Sequence, residues 1–226
     1  MNTVVIACQT LGEELKLAMA ETNCEYRVIW IGSEYHVYPE MLRKRLQEEI
    51  DRLNNVENIL FAYGCCGNGL LDLHATTANL IIPKTDDCIS ILLSKPGESF
   101  QRKKKTYFLT KGWLDSSRGL LNEYKHTLKC YGEMRTKKVF ELMLKNYQYL
   151  MLIDTKAYDL EEYKGKALEL VKVFNLELQT TKGSLWFIKK LLTGPYDHDF
   201  CMIPKGEKVQ ISHFGYNYTN SSPHVI

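Results

Sequence analysis

No stretch of this chain approaches the roughly 18 consecutive apolar residues of a membrane-spanning helix, and its first residues carry neither a basic region nor an apolar core ahead of a cleavage site. A cytoplasmic protein without membrane association is expected. Net charge is almost absent too: 29 Lys and Arg stand against 27 Asp and Glu, leaving +2 over 226 residues. That balance excludes the broad basic face with which a protein neutralises nucleic-acid phosphates, so no nucleic-acid partner is expected. The one basic run, Arg102-Lys103-Lys104-Lys105, reads as a solvated linker face. A disulfide framework is excluded as well. Seven cysteines is an odd number, and a chain of this length with 45% hydrophobic residues buries enough core to need no staples.

What is present is an alternation of strand and helix patterns. Val4 to Cys8 is a short, continuously apolar strand, and Thr10-Leu11-Gly12-Glu13 has the spacing of a capping box ahead of a stripe at Leu11, Leu15 and Ala18. Tyr26 to Ile31 is a second strand, and Pro39 opens a helix with Met41, Leu42, Leu46, Ile50 and Leu53 at three- and four-residue steps. Asn58 to Tyr63 and Asn79 to Ile82 are two more strands, each with a helix after it. Beyond the polar stretch 97–105 the pattern restarts with strands at Thr106 to Thr110, Tyr149 to Ile153, Leu176 to Leu178 and Phe200 to Ile203. An α/β fold is expected, with a mostly parallel sheet or sheets built from repeated βα units. It divides into two similar Rossmann- or flavodoxin-like halves, 1–100 and 105–205, or forms one continuous sheet, with 206–226 as a C-terminal arm.

Cys8, Cys66 and Cys88 each sit where an apolar strand gives way to a helix. Ligands of open α/β sheets bind outside the carboxyl ends of the strands, where strand order reverses. In the order 2-1-3-4 the strands leading to these cysteines are neighbours at about 4.8 Å, and three thiols reach one crevice. In the order 3-2-1-4, Cys66 and Cys88 would stand about 14 Å apart. The shared site thus makes a topological demand. If it is met, Cys8, Cys66 and Cys88 are the expected ligands of an iron–sulfur cluster or a zinc ion with one open position, where a substrate thiol, sulfur or methyl carrier is activated. Cys65, His36, His74 and Trp113 are candidate further ligands or pocket walls. The glycine-rich turn Gly64, Gly67, Asn68 and Gly69, with Lys84, is a candidate cofactor- or anion-binding segment, although it is neither a P-loop nor a dinucleotide fingerprint. With Thr85 or Asp86 as N-cap, Cys88 falls in the first turn of its helix, where the dipole lowers a thiol's pKa. Cys24, Cys130 and Cys201 read as small packed hydrophobes. The alternative to a metal centre is a non-catalytic accessory protein that binds a corrinoid or a small anion, with every cysteine packed.

Several segments together resemble a known family. Tyr63-Gly64-x-Cys66-Gly67-Asn68-Gly69, Pro83-Lys84-x-x-Asp87-Cys88-Ile89, Thr106-Tyr107-Phe108-Leu109-Thr110-x-Gly112-Trp113 and Gly194-Pro195-Tyr196-Asp197-x-x-Phe200 are similar to the bacterial and archaeal family called domain of unknown function 1638, from Cys8 to about Gly206. The resemblance implies a role beside corrinoid-dependent methyltransferases and corrinoid proteins of one-carbon metabolism, with Cys8, Cys66 and Cys88 at the family's motif cysteines. A corrinoid protein or methyltransferase is therefore an expected partner, and a small molecule the expected substrate. The chain departs from the pattern at Cys65, Lys84 and Asp86, where an aliphatic residue, Arg and His are expected. Cys65-Cys66-Gly67 also looks like the Cys-Cys-Gly element of zinc-dependent homocysteine methyltransferases, in which three thiolates hold the metal.

Overall fold

The computed structural model describes residues 2–98 and 100–215, apart from the side chain of Val37. The chain forms two compact units, Met1–Glu98 with Ser184–Ile226 in one and Ser99–Gly183 in the other. Among the described residues no helix is long and apolar enough to cross a membrane.

The first unit is built on β1 (Thr3–Cys8), β2 (Arg27–Ile31), β3 (Asn58–Ala62), β4 (Asn79–Pro83) and a returning strand, Phe200–Ile203. The sheet order is β2-β1-β3-β4 followed by that last strand. The first four strands are parallel, with Val5 beside Val28 and Leu60, and Leu60 beside Ile81. The strand at 200–203 runs antiparallel to β4, with Cys201 opposite Ile82. The 2-1-3-4 order demanded by a shared cysteine site is present.

Side-chain alternation gives this sheet two apolar faces. Ile6, Cys8, Ile59, Phe61, Tyr63 and Ile82 pack with α2 (Pro39–Arg52), whose Leu42, Leu46 and Ile50 recur every four residues and are fully buried. Pro39 starts that helix at a position that needs no N–H donor. A helix at Trp186–Thr193 contacts β3, β4, α1 (Gly12–Glu21) and α3 (Cys88–Leu93). The expected capping box at Thr10 does not form. Cys8 instead caps a short 3-10 turn, Gln9–Leu11, with its sulfur accepting from the Thr10 N–H, and Leu11 precedes α1 without a side-chain cap.

The second unit has a parallel three-stranded sheet of β5 (Thr106–Leu109), β6 (Tyr149–Asp154) and β7 (Glu177–Lys182), in the order β5-β6-β7. Its helices are α4 (Lys111–Leu114), α5 (Leu120–Leu144, broken at Gly132 with φ 76°) and α6 (Leu160–Phe174). Thr110 caps α4 and Asp159 caps α6, each accepting from backbone N–H groups. At the C-terminus of α4, Asp115 accepts from Tyr163 Oη at 2.5 Å, Lys111 Nζ at 2.9 Å and Lys166 Nζ at 3.0 Å. Burial pushes the Asp115 carboxyl up, but these three donors outweigh it and hold it below the usual carboxylate value. A depressed folded-state pKa contributes stability that is present above about pH 4 and lost as the pH falls further. Because both ammoniums and the carboxylate are more than a third exposed or nearly so, the effect is small. Asp115→Asn is expected to cost about 1 kcal/mol or less at pH 7, with the difference from the parent chain shrinking at pH 3 in urea unfolding.

The α/β reading with mostly parallel sheets is what the structure shows, but its division differs from 1–100, 105–205 and 206–226. The strand at 200–203 and the helix at 186–193 belong to the first unit. The second unit has its first strand at an edge, whereas β1 is flanked on both sides. The arm after Gly206 lies on the body as far as Gly215: Val209 is fully buried and exchanges backbone bonds with Asp72 and Leu73, and Phe214 packs on the same core. The rest of the expected arm, 216–226, lies outside the described residues. For the helix and strand between 186 and 203, the local pattern is the same whichever sheet receives them.

We label the helix at Trp186–Thr193 α7 and the strand at Phe200–Ile203 β8 from here on.

Candidate metal centre

The carboxyl ends of β1, β3 and β4 bring three loops together. Cys8 ends β1 with its side chain 1% exposed, and its sulfur lies 2.9 Å from Thr10 Oγ1. Across from it the 3-10 turn Ser33–Val37 presents His36, whose Nδ1 and Nε2 lie 3.9 and 3.7 Å from the same sulfur. Near-equal distances mean that neither ring nitrogen points squarely at the thiol. The His36 ring stacks on Tyr63, centroids 6.0 Å apart and planes 21° from parallel. Tyr63 follows β3 directly and is fully buried.

After Tyr63 the chain enters the glycine turn. The Cys65 N–H donates to the Thr85 carbonyl at 2.8 Å and the Cys66 N–H to the Asp86 carbonyl at 2.7 Å, so the loops leaving β3 and β4 run on side by side beyond the sheet. Gly64 is required by space: a Cβ there would lie 2.5 Å from the Asp87 nitrogen. Cys66, Gly67 and Asn68 then follow one another in the left-handed region, at φ 47°, 62° and 70°. Glycine adopts that conformation freely and asparagine tolerates it, but for a cysteine it costs about 1–2 kcal/mol. Cys88 opens α3. Its cap is Asp87, not the expected Thr85 or Asp86, with Oδ1 accepting from the Ser90 N–H at 3.0 Å and Ser90 Oγ at 3.2 Å.

The three thiols share one electrostatic neighbourhood. Burial pushes the Cys66 thiol well up, and the nearness of Cys88 and Cys8 pushes it further. Burial likewise raises Cys8, against the hydrogen bonds from Thr10. The Tyr63 phenol is raised by burial and then by each of Cys8, Cys66 and Cys88. For Cys8 and Cys66 desolvation outweighs every local hydrogen bond and dipole, so neither shares the lowered pKa expected of Cys88 at its helix start. Their sulfurs are neutral thiols in the metal-free protein, and a bound cation would have to displace the protons. Among the described residues, the Cys8, Cys66 and Cys88 sulfurs are not all within 4.8 Å of one another.

The remaining candidates are distributed differently. The Cys65 thiol meets Asn68 Oδ1 at 3.7 Å and interacts electrostatically with Cys66, Asp86 and Cys201. Lys84 acts on Cys201, and its N–H is bound to the Asp199 carbonyl. His74 is fixed through its backbone, which donates to and accepts from the Gln47 side chain on α2. Trp113 lies in the second unit, where its indole N–H donates to Tyr107 Oη at 2.9 Å. In the glycine turn the N–H groups of Cys65, Cys66 and Gly69 are all used by backbone carbonyls, which reduces the donors open to an anion. The closest cluster of metal-type side chains among the described residues, Asp197, His198 and Asp199, is a surface ion-pair group. Lys190 Nζ already occupies its carboxylates at 2.8 and 2.5 Å. Tyr63 and Thr10 are site residues absent from the sequence candidates, Thr10 being expected there only to cap a helix. Position alone marks Tyr63, as the last residue before the glycine turn.

Comparison with known proteins gives one match. The family model described as "Protein of unknown function (DUF1638)" matches residues 30–192, which includes His36, Tyr63, Cys66 and Cys88. No curated protein and no solved structure matches the chain.

Proposed function

The chain belongs to the DUF1638 family of proteins of unknown function, and we propose that its thiol-lined crevice is a metal centre in which Cys8, Cys66 and Cys88 hold an iron–sulfur cluster with one coordination position open. The observation that carries this reading is the convergence of three thiols, Cys8 and Cys66 buried and Cys88 half-buried, with Cys66 on a strained left-handed residue, around a buried tyrosine hydroxyl that has no hydrogen-bond partner among the described residues. Strain of that kind persists where the surroundings over-determine it, and it concentrates at functional sites.

The spacing favours a cluster over zinc. A tetrahedral zinc with Zn–S near 2.3 Å needs its sulfurs about 3.8 Å apart, and these sulfurs are not all within 4.8 Å. In a cluster each thiolate binds a different iron and the ligands stand wider. When bound, the cluster would supply a Lewis-acidic, redox-active iron at the open position. The chain's own residues do the rest: Thr10 hydrogen-bonds the Cys8 sulfur, His36 and Tyr63 wall the crevice beside it, and Cys8, Tyr63 and Cys66 are buried. The assigned setting is methyl-group or sulfur metabolism linked to a corrinoid, with a corrinoid protein or methyltransferase as partner. Geometry supports the metal; the setting is what the family resemblance implies.

A second reading has an observation of its own. The raised pKa values of Cys8 and Cys66 suit packed thiols in an accessory protein that binds a corrinoid or a small anion. Protein purified without oxygen separates these. Brown protein containing iron and acid-labile sulfide is the expected result. Colourless protein with stoichiometric zinc replaces the cluster by a single ion, and metal-free protein that reddens with cobalamin selects the accessory reading.

A further inference from the structure

Tyr63 has a hydroxyl that the core does not need. The residue is fully buried, packs with Phe61, Cys8 and Leu42 in the main apolar cluster, and its Oη has no hydrogen-bond partner among the described residues. At such a position phenylalanine would fill the same space without the desolvation cost of an unpaired donor. The ring is also held in place: His36 stacks against it and itself contacts the Cys8 sulfur. The phenol is close enough to that sulfur to favour its thiolate form, yet it makes no hydrogen bond of ordinary geometry with it. A donor buried, oriented and unused at the edge of a thiol crevice is matched to an acceptor that arrives with a ligand.

We infer that Tyr63 is a tuning residue of the centre, its hydroxyl donating a hydrogen bond to a sulfur of the bound cluster while the stacked His36 fixes its direction. The inference rests on the cluster reading above. A hydrogen bond to a ligand or bridging sulfur withdraws electron density, and it is stronger when the cluster carries the more negative charge of its reduced state. Tyr63 therefore raises the midpoint potential, and it does so without touching the ligand set.

The test uses the full chain, loaded with iron and sulfide in the absence of oxygen, as the parent protein, as Tyr63→Phe, and as the parent chain grown with 3-fluorotyrosine. Fluorination acidifies every phenol and deletes none. The expected results are unchanged iron and sulfide content in Tyr63→Phe, a midpoint potential shifted to more negative values, and a shift to more positive values with fluorotyrosine. In the metal-free protein, Tyr63→Phe should unfold at the same temperature as the parent or higher, since the change removes an unpaired donor. A loaded Tyr63→Phe protein with the parent's midpoint overturns the inference and leaves the metal centre standing. So does a metal-free variant that melts several degrees lower, which would make the hydroxyl structural. If Tyr63→Phe does not fold, the fluorotyrosine protein decides, and an unmoved midpoint there overturns the inference. A parent chain that takes up no cluster removes the reading and the inference together.

Discussion

Cys8→Ser, Cys66→Ser and Cys88→Ser, made one at a time, are each expected to lower the iron bound per chain at least about tenfold, since even residues that merely support a ligand change metal affinity by about 10- to 100-fold. The ligand is a thiolate, and a serine hydroxyl does not ionise in the range where a protein folds. Cys24→Ser and Cys130→Ser are the controls. Cys24 is half-buried and Cys130 exposed on α5, where its sulfur meets His126, so both should retain full iron. Folding must be separated from binding. A serine at position 8 inherits Thr10 and His36 as partners, whereas the Cys66 thiol has no hydrogen bond to hand on, so burying a hydroxyl there costs about 1–3 kcal/mol. Thermal unfolding of the metal-free proteins reads that difference, at about 2–4 °C per kcal/mol for a chain of this size. Iron retained in all three variants, with folding intact, would sink the metal reading.

The topology behind that prediction was written in the chain, because βα alternation is a local signal. Four apolar runs admit few parallel arrangements, and the order 2-1-3-4 makes neighbours of the strands leading to Cys8, Cys66 and Cys88, although the helix expected after β3 is absent among the described residues and an irregular turn joins β3 to β4. What was not legible depends on pairing between distant residues. The strand β8 has the composition of any buried strand, and nothing in Phe200-Cys201-Met202-Ile203 says that its partner is β4, more than a hundred residues earlier. The same holds for the thiols. A helix terminus is visible in sequence and argues for a lowered pKa at Cys88, whereas burial is a property of the assembled core, and at Cys8 and Cys66 it pushes the thiols up. His36 was a histidine near a loop until the Ser33–Val37 turn set its ring against Tyr63. The indole of Trp113 serves Tyr107 within the second unit, a pairing that neither residue announces in the sequence.

Gly64→Ala is expected to be the most damaging single substitution at the crevice, destabilising the protein by about 3 kcal/mol or more. Gly64 needs no special backbone conformation; it needs the absence of a side chain. An added Cβ would lie 2.5, 2.6 and 2.8 Å from the backbone N, Cα and C of Asp87, and backbone cannot rotate away as a side-chain tip can. The loops would have to part. They are tied at that point by the Cys65 N–H to Thr85 and the Cys66 N–H to Asp86 bonds, and a displacement of about 1 Å takes both past hydrogen-bonding distance. Two buried N–H groups left unpaired cost about 1–3 kcal/mol each. Asp87 would move with its loop, loosening the cap on α3 and shifting Cys88 relative to Cys66. Gly67→Ala is the comparison that isolates this cause. Gly67 sits at φ 62°, but an added Cβ meets only Pro39 Cγ at 4.0 Å, so the expected cost is the left-handed penalty alone, about 1–2 kcal/mol. Urea unfolding of the two variants should rank Gly64→Ala below Gly67→Ala in stability, and iron loading should fall further in Gly64→Ala. Equal stabilities would mean that the two loops can separate freely, and a crevice that opens so easily could not hold three sulfurs around one centre.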